Sequence, residues 1–226
     1  MHNALGELRE GWQILSKDGM AALAMLHLTL MASLIPLLAV LGPVFAVSVI
    51  RAGPEDVVYL FAPAGVAMVL ATLVIGRIVR RVGKLVTMVG GLVGMGVALA
   101  LLAAAKTGGS YLLYNLLGRV VDTRHAAFEL VPIVMALSFA LGIGFICVSI
   151  PAQTLLQERC PEAFRGRIFG VQFTLSGAGS LLPLLGAGGL ANTFGVNKTI
   201  FLIGVVLALI ALATWKRPGL AKPATG

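Results

Sequence analysis

The stretch GRIVRRVGK, residues Gly76–Lys84, decides how the rest of the chain is arranged. It separates two long apolar runs, Val57–Ile75 and Leu85–Ala105. Its basic side chains cannot enter the hydrocarbon core of a bilayer cheaply, since each costs about 2.5–3.5 kcal/mol at the centre of a helix. We therefore predict a short basic loop between two membrane-spanning helices. Short loops rich in Lys and Arg face the cytoplasm.

Glycines flank the charges of this loop, and they indicate more than the positions of the membrane surfaces. Gly76 and Gly83 would permit a tight reversal and a close approach of helices at both ends. The pattern resembles the loop signature GxxxDRxGRR of the major facilitator superfamily of secondary transporters, which Gly76, Arg81, Gly83 and Lys84 match. Arg80 stands where the signature has Asp, as in the degenerate copy of the second half of such transporters, and this departure argues against a charge relay. Alternatively, the residues are only positive flanks of two spans.

Two further stretches extend the resemblance. Ile150–Gly170, IPAQTLLQERCPEAFRGRIFG, resembles the connection between the tenth and eleventh helices of the superfamily, in particular of its multidrug, macrolide and siderophore exporters. The opening LGELREGWQIL resembles the cytosolic linker that enters the seventh helix in that branch. The resemblance covers almost the whole chain but only half of a twelve-helix fold. It implies a carboxy-terminal half, in a family that places its substrate between two halves.

The composition indicates an integral membrane protein. Hydrophobic residues make up 58% of the chain and charged residues 12%, and apolar runs of about 20 residues recur, which is the length that crosses a bilayer. The net charge is +8, and the basic residues lie beside apolar runs without an aromatic stacking platform. We therefore expect them to contact lipid headgroups and not nucleic acid. Cys147 and Cys160 have no metal-ligand or CxxC spacing, and we expect no disulfide, metal or cofactor.

Six segments are predicted to span the membrane in an all-α bundle over residues 20–217, built as an inverted three-plus-three repeat. The predicted spans are 20–49, 57–75, 85–105, 130–157, 168–190 and 198–215. A cytosolic amphipathic linker helix over residues 1–19 and a cytosolic tail over 218–226 flank the bundle. Between the third and fourth spans we expect an outer loop, Lys106–Glu129, with an interfacial turn anchored by Tyr111 and Tyr114.

Glycine positions suggest both the repeat and the packing. Gly188 and Gly195 bracket the turn after the fifth span at the same spacing as Gly76 and Gly83 after the second, although glycine is abundant enough for coincidence. One turn would lie inside and the other outside, as an inverted repeat requires. Within the third span, four glycines offer a small-residue surface for a neighbouring helix. They are Gly90, Gly91, Gly94 and Gly96.

The basic residues favour one side of the predicted bundle. The inner set is Arg9, Lys17, Arg77, Arg80, Arg81, Lys84, Arg159, Arg165, Arg167, Lys216, Arg217 and Lys222. The outer set is Arg51, Lys106, Arg119, Arg124 and Lys198. By the positive-inside rule, this asymmetry places both termini in the cytoplasm, and we expect the plasma membrane of a bacterium.

Polar residues within the spans are the candidates for a substrate cavity. Ser149 and Gln153 share a face of the fourth span with Ser138 and Gly142, and Gln172 and Ser176 share a face of the fifth with Gly179 and Pro183. These faces should point into the bundle or a wet cavity, or should serve helix–helix hydrogen bonding. The family resemblance adds weight to the fourth span, whose counterpart lines the cavity. A single bundle would turn Ser149 and Gln153 toward lipid, which predicts a second bundle against them.

Three other residues are candidates at the edges of this cavity. His27 is the titratable side chain inside the first span, either as a cavity residue or hydrogen-bonded to a neighbouring helix. Arg165 and Arg167 could latch an inner gate by pairing with helix C-termini or with a carboxylate such as Glu158. Alternatively, they are ordinary positive charge on the inner face.

These observations favour a secondary active transporter half that exports a drug-like or small amphipathic solute by alternating access. Its expected partners are the lipid bilayer, the solute, and a second six-helix half, which is a separate chain, a missing amino-terminal half or a second copy. The alternative is a membrane scaffold or assembly partner, derived from a truncated transporter, that moves nothing. An enzyme is disfavoured, because the chain has no HExxH or GxSxG motif and no acid pair within a span.

Overall fold

The computed structural model describes residues 18–47, 57–107, 126–160 and 162–216, which form a bundle of α-helices. The helices are α1 (Gly19–Phe45), α2 (Val58–Val82), α3 (Lys84–Thr107), α4 (Ala126–Arg159), α5 (Arg165–Phe194) and α6 (Val196–Trp215). One turn of 3-10 helix, Glu162–Phe164, leads into α5. Within these ranges, five of the six helices, all except α5, are long and apolar enough to cross a membrane. The prediction of an all-α bundle with membrane-spanning helices is confirmed.

Several helices continue beyond the predicted spans, and α2 does so most clearly. It runs to Val82 instead of ending at Ile75, so Gly76, Arg80 and Arg81 are helical and the predicted nine-residue loop is wrong. The end of an apolar run marks the edge of the hydrocarbon, not the end of the helix. Arginine is a good helix former, and its long side chain reaches water from a helix that continues past the membrane surface.

Two single glycines, Gly83 and Gly195, each join one helix to the next without any other residue between them. Their backbone angles are φ 92°, ψ 156° and φ 85°, ψ 152°, a region that is essentially restricted to glycine. Each glycine donates its N–H to the preceding helix, at 2.9 and 3.1 Å. Each carbonyl accepts the N–H of a threonine four residues later, Thr87 or Thr199, at 3.2 Å in both cases. The threonine hydroxyls bond the same carbonyls at 2.7 and 3.0 Å.

One end of the bundle, which we call the charged end, collects most basic side chains. An ion pair between Asp18 and Arg159 joins the start of α1 to the end of α4. Another, between Lys84 and Glu158, joins the start of α3 to the end of α4. Gly96 of α3 lies beside Gly204 of α6 in an antiparallel arrangement, which brings the end of α6 to the same side. The basic residues of the described ranges at this end are Arg77, Arg80, Arg81, Lys84, Arg159, Arg165, Arg167 and Lys216.

Small residues set the distances between helices. A β carbon on Gly91 would lie 2.9 Å from a backbone carbonyl oxygen of α4, and one on Gly96 would lie 2.8 Å from a carbonyl oxygen of α6. The predicted packing surface of the third span is therefore present at these two positions. A β carbon on Gly90 or Gly94 would have no neighbouring atom within 4 Å, so these two glycines contribute nothing to it.

Two apolar clusters form the core. The larger one joins α1, α2, α3, α4 and α6 and includes Leu92, Met95 and Leu99. The smaller one lies at the charged end, where Met25 and Leu156 are among the side chains that join α1 and α4 to α3 and α5. α2 contributes few fully buried residues, so most of its surface faces outward.

Several predicted segments lie outside the described residues. They include the linker helix over residues 1–19 except its last two residues, the tail over 218–226, and most of the loop Lys106–Glu129 with Tyr111 and Tyr114. At the end of that loop, α4 already begins at Ala126 instead of at residue 130.

Candidate functional site

The side-chain amides of Gln153 and Gln172 meet between α4 and α5. Nε2 of Gln172 donates to Oε1 of Gln153 at 3.3 Å, and both side chains are partly buried. At 1.5 Å per residue, Gln153 lies about 9 Å along α4 from Arg159, and Gln172 lies about 10 Å along α5 from Arg165. Two residues that were predicted on separate helix faces are thus brought together at one depth below the charged end.

Unpartnered polar atoms lie at nearly the same depth. Oε1 of Gln172, Oγ of Ser149 and Nε2 of His27 are buried and have no hydrogen-bond partner among the described residues. By the same rise per residue, Ser149 lies about 15 Å from Arg159 and His27 about 13 Å from Asp18. A buried polar atom without a partner costs about 1–3 kcal/mol. Such atoms are therefore expected where a ligand or a water molecule can supply the missing hydrogen bond.

The His27 ring is held by its own helix. The residue is fully buried, and Nδ1 lies 2.7 Å from the carbonyl oxygen of Leu23. A carbonyl oxygen can only accept, so Nδ1 carries the proton, and in the neutral ring Nε2 is left as an acceptor. The predicted bond to a neighbouring helix is therefore replaced by one within α1, and the second nitrogen remains available to a donor.

The hydroxyl of Ser149 is an exception among the helical hydroxyls. Thr29, Ser33 and Thr154 each donate to the carbonyl one turn earlier, at 2.8–2.9 Å, which is the usual way to satisfy a hydroxyl inside a membrane helix. Ser149 does not. Ser176, one turn beyond Gln172 on the same face of α5, is partly buried.

Together these residues form a set that we call the polar layer. Its members are His27, Ser149, Gln153, Gln172 and Ser176. It places neutral polar groups from three helices at similar depths of the bundle, and it offers both donors and acceptors. Within the described ranges no three His, Cys, Asp or Glu side chains come together as a metal site. The layer is suited to hydrogen bonding a neutral polar group of a small molecule.

The structure corrects the expected exposure of the fourth span. Ser149 and Gln153 were expected to face lipid in a single bundle, but Gln153 is partly buried and bonded to α5, and Oγ of Ser149 is buried. The reason for Gln153 is that Gln172 of α5 reaches it at this depth. These two residues therefore do not by themselves require a second bundle.

At the charged end, acidic residues tie the helix ends together. Asp18 accepts the N–H groups of Met20 and Ala21 at 2.9 and 3.4 Å and so caps α1, and its other oxygen lies 3.7 Å from Nη1 of Arg159. Lys84, the last residue of the basic stretch, pairs with Glu158. The sequence reasoning missed both roles. An Asp directly before an apolar run is a recognisable cap signal, whereas the Lys84–Glu158 pair joins residues far apart in the chain.

The two predicted gate arginines lie at the start of α5. Nη1 of Arg165 is 3.4 Å from Oε1 of Glu162, within the same segment. The guanidinium of Arg167 lies 5.8 Å from the centroid of the Phe164 ring, which is within the range of a cation–π contact. Glu158, the carboxylate that was proposed as their partner, is paired with Lys84.

Cys160 lies between α4 and α5 at the charged end, and its side chain is buried. Burial raises the pKa of its thiol above the usual value, Arg165 acts in the opposite direction, and Asp18 adds to the rise. A thiol with a raised pKa is mostly protonated at neutral pH and reacts slowly. Cys147 and Cys160 are both free.

The sequence pattern of the Major Facilitator Superfamily matches residues 3–183, which is well over half of the chain. The chain belongs to the major facilitator superfamily. Membership agrees with the apolar helices in indicating an integral membrane protein.

One relative within the major facilitator superfamily is the "Uncharacterized MFS-type transporter YfiS" of Bacillus subtilis (strain 168). It is 36% identical to this chain over 76 residues, which are 34% of this chain and 18% of the relative. The match therefore spans less than a fifth of the length of that relative. No solved structure matches the chain at a significant level.

Proposed function

We propose that this chain is the carboxy-terminal half of a secondary active transporter of the major facilitator superfamily. It exports a small amphipathic solute across the plasma membrane of a bacterium by alternating access. The polar layer binds the polar part of the solute, and the surrounding apolar side chains accommodate the remainder. The observation that carries this proposal is the Gln153–Gln172 pair, with the unpartnered oxygen of Gln172 buried beside it.

The chemistry of the layer favours a neutral or weakly polar solute. Its members are two amides, two hydroxyls and one imidazole, and no carboxylate stands among them to neutralise a cationic drug. In a bundle interior each hydrogen bond to the solute also removes the cost of a buried unpaired atom. A solute with a hydrogen-bond donor would satisfy the unpartnered oxygen of Gln172.

A second six-helix bundle and an inverted repeat complete the proposal. The joints at Gly83 and Gly195 share their backbone angles and their threonine bonds and lie at opposite ends of the bundle, which supports an inverted three-plus-three repeat. The second half is a separate chain, an amino-terminal segment or another copy of this chain. A monodisperse monomer that transports solute by itself in liposomes would contradict this part of the proposal.

The transport test compares two substitutions on α5. We expect Gln172→Leu to reduce export of a neutral amphipathic dye, such as Nile red, by about 5-fold, which is the usual effect of losing one hydrogen bond to the solute. The matched control is Thr174→Val, because Thr174 is exposed and its hydroxyl is satisfied within α5. Export is measured in cells and in proteoliposomes that contain this chain, alone and with an amino-terminal half from a related transporter.

The outcomes of this test separate transport from the alternative role. Equal export by the two variants would show that the polar layer does not bind the solute. If no assembly exports any dye while the chain still binds the amino-terminal half stably, the scaffold role replaces the transporter. Faster export of a cationic dye such as ethidium than of Nile red would overturn the preference for neutral solutes.

The basic charged end predicts the orientation in the membrane. We expect Arg81→Cys to react with a membrane-impermeant maleimide only after the cells are permeabilised, whereas Lys198→Cys, exposed at the opposite end, reacts in intact cells. The positive-inside rule gives this direction, since the charged end faces the cytoplasm. Wild-type chain is the blank, and Cys160 should add little to it because its thiol is buried and mostly protonated. Reaction of Arg81→Cys in intact cells would reverse the proposed topology.

A further inference from the structure

A cavity of about 130 Å³ lies away from the charged end, between α1, α2, α3 and α4, and Ile200 of α6 also lines it. Its lining includes Leu41 of α1, Phe61 of α2, Leu99 of α3, and Ser138 and Phe145 of α4. Ser138 is about 22 Å from Gln153 along α4, so the cavity is distinct from the polar layer. A void of about 150 Å³ lined by aliphatic and aromatic side chains stays dry and takes up benzene. The volume therefore suits a single six-membered ring.

Ser138 gives this apolar cavity one polar atom. It is the sole side chain with a hydrogen-bonding group among the residues that line it within the described ranges. The residue is 2% exposed, and Oγ has no hydrogen-bond partner there. Other helical hydroxyls, such as those of Thr154 and Thr214, bond the carbonyl four residues earlier at 2.9 and 2.8 Å. The Ser138 hydroxyl is left for a molecule inside the cavity, because an unmet hydroxyl in an apolar wall is costly.

The cavity opens sideways between α1 and α2. Ile35 and Phe61 both line it, and they are also 55% and 39% exposed on the outside of the bundle. Both residues at this opening are apolar, so a ligand that enters here comes from an apolar phase. Molecules that dissolve in the hydrocarbon of a bilayer have access, whereas strongly hydrated ones do not.

We propose that this cavity is a binding site for a small lipophilic molecule that carries a single hydroxyl, of the phenol class. Its ring fills the apolar volume and its hydroxyl forms a hydrogen bond with Oγ of Ser138. A bound ring touches α1, α2, α3 and α4 at once and holds them together at the end opposite the polar layer. The proposal does not depend on which solute the protein transports.

The test uses two ligands that differ only in the hydroxyl, 4-fluorophenol and fluorobenzene. Their binding to the purified full chain in detergent micelles is measured by ¹⁹F NMR, with empty micelles as the blank. We expect wild-type protein to bind 4-fluorophenol saturably and about 5-fold more tightly than fluorobenzene. Ser138→Ala should bring the two affinities within 2-fold of each other, while Ser33→Ala, whose hydroxyl is satisfied within α1, should leave the preference intact.

A second variant tests the location independently of the hydroxyl. Ile35→Trp places a larger side chain at the opening, on a residue that is already exposed, so the fold should be retained. We expect it to weaken both ligands by at least about 5-fold. Absence of saturable binding to the wild-type protein overturns the proposal, as does a phenol preference that survives Ser138→Ala. Unchanged affinity of Ile35→Trp for both ligands places their binding elsewhere and also overturns it.

Discussion

Replacing Gly142 with valine should cost about 3 kcal/mol or more of folding free energy. A β carbon on Gly142 would overlap the carbonyl oxygen of Ala64 and would lie 2.9 Å from the β carbon of Ala67. These atoms belong to the backbone and to a short side chain of α2, so they cannot move aside separately. Overpacking costs about 1–3 kcal/mol even where flexible side chains can adjust. The unfolding midpoint in mild detergent and the elution profile on gel filtration would show the loss.

The matched control for this prediction is Gly65→Val. Gly65 follows Ala64 on α2, is exposed, and has no neighbouring atom within 4 Å of an added β carbon. We expect a change within about 0.5 kcal/mol, as for most surface substitutions. If Gly142→Val were as stable as Gly65→Val, α2 and α4 would be able to separate without loss. The close contact would then not contribute to stability.

Alanine substitutions at Gly83 and at Gly76, both in the basic stretch Gly76–Lys84, should change the folding free energy in opposite directions. Gly83→Ala should destabilise the protein by about 1–3 kcal/mol, because alanine strongly disfavours φ 92°, ψ 156°. Gly76→Ala should stabilise it by up to about 1 kcal/mol, because Gly76 lies inside α2 with open space around it and alanine is the better helix former. Thermal unfolding of the two variants in one detergent measures both effects.

Two further variants test the second glycine joint and the role of charge in the basic stretch. Gly195→Ala should resemble Gly83→Ala, since the two joints have nearly the same backbone angles. Arg80→Ala, at an exposed helical position, should change stability by less than about 0.5 kcal/mol. Small effects of similar size at Gly76 and Gly83 would mean that backbone geometry is unimportant at the joint and that the stretch acts only through its charge.

Apolar run length located the helices because hydropathy is a local property of the sequence. It misplaced their ends, since arginines extend α2 to Val82 and α4 reaches Arg159. Helix propensity does not fall where the hydrocarbon ends. The cap at Asp18 could have been recognised from the sequence. A tight reversal was predicted at both Gly76 and Gly83, and the structure places it at Gly83 alone.

Contacts between helices could not be predicted in the same way. Gln153 and Gln172 were identified as polar residues within spans, but their bond depends on how α4 and α5 are rotated about their axes. A helix that is apolar on every side gives no periodic signal for that rotation. For the same reason, nothing in the sequence distinguishes Gly91 and Gly96, which pack closely, from Gly90 and Gly94, which do not.

The single-glycine joints have a mechanical consequence. At Gly83 the amide bonds backward into α2 and the carbonyl accepts from Thr87 in α3, so the chain of backbone bonds is not interrupted at the change of direction. The same holds at Gly195. Apart from the glycine itself, no linker residue lies between the two helices to accommodate a change in their angle. In any rearrangement of the bundle, we therefore expect α2 with α3, and α5 with α6, each to move as a rigid pair.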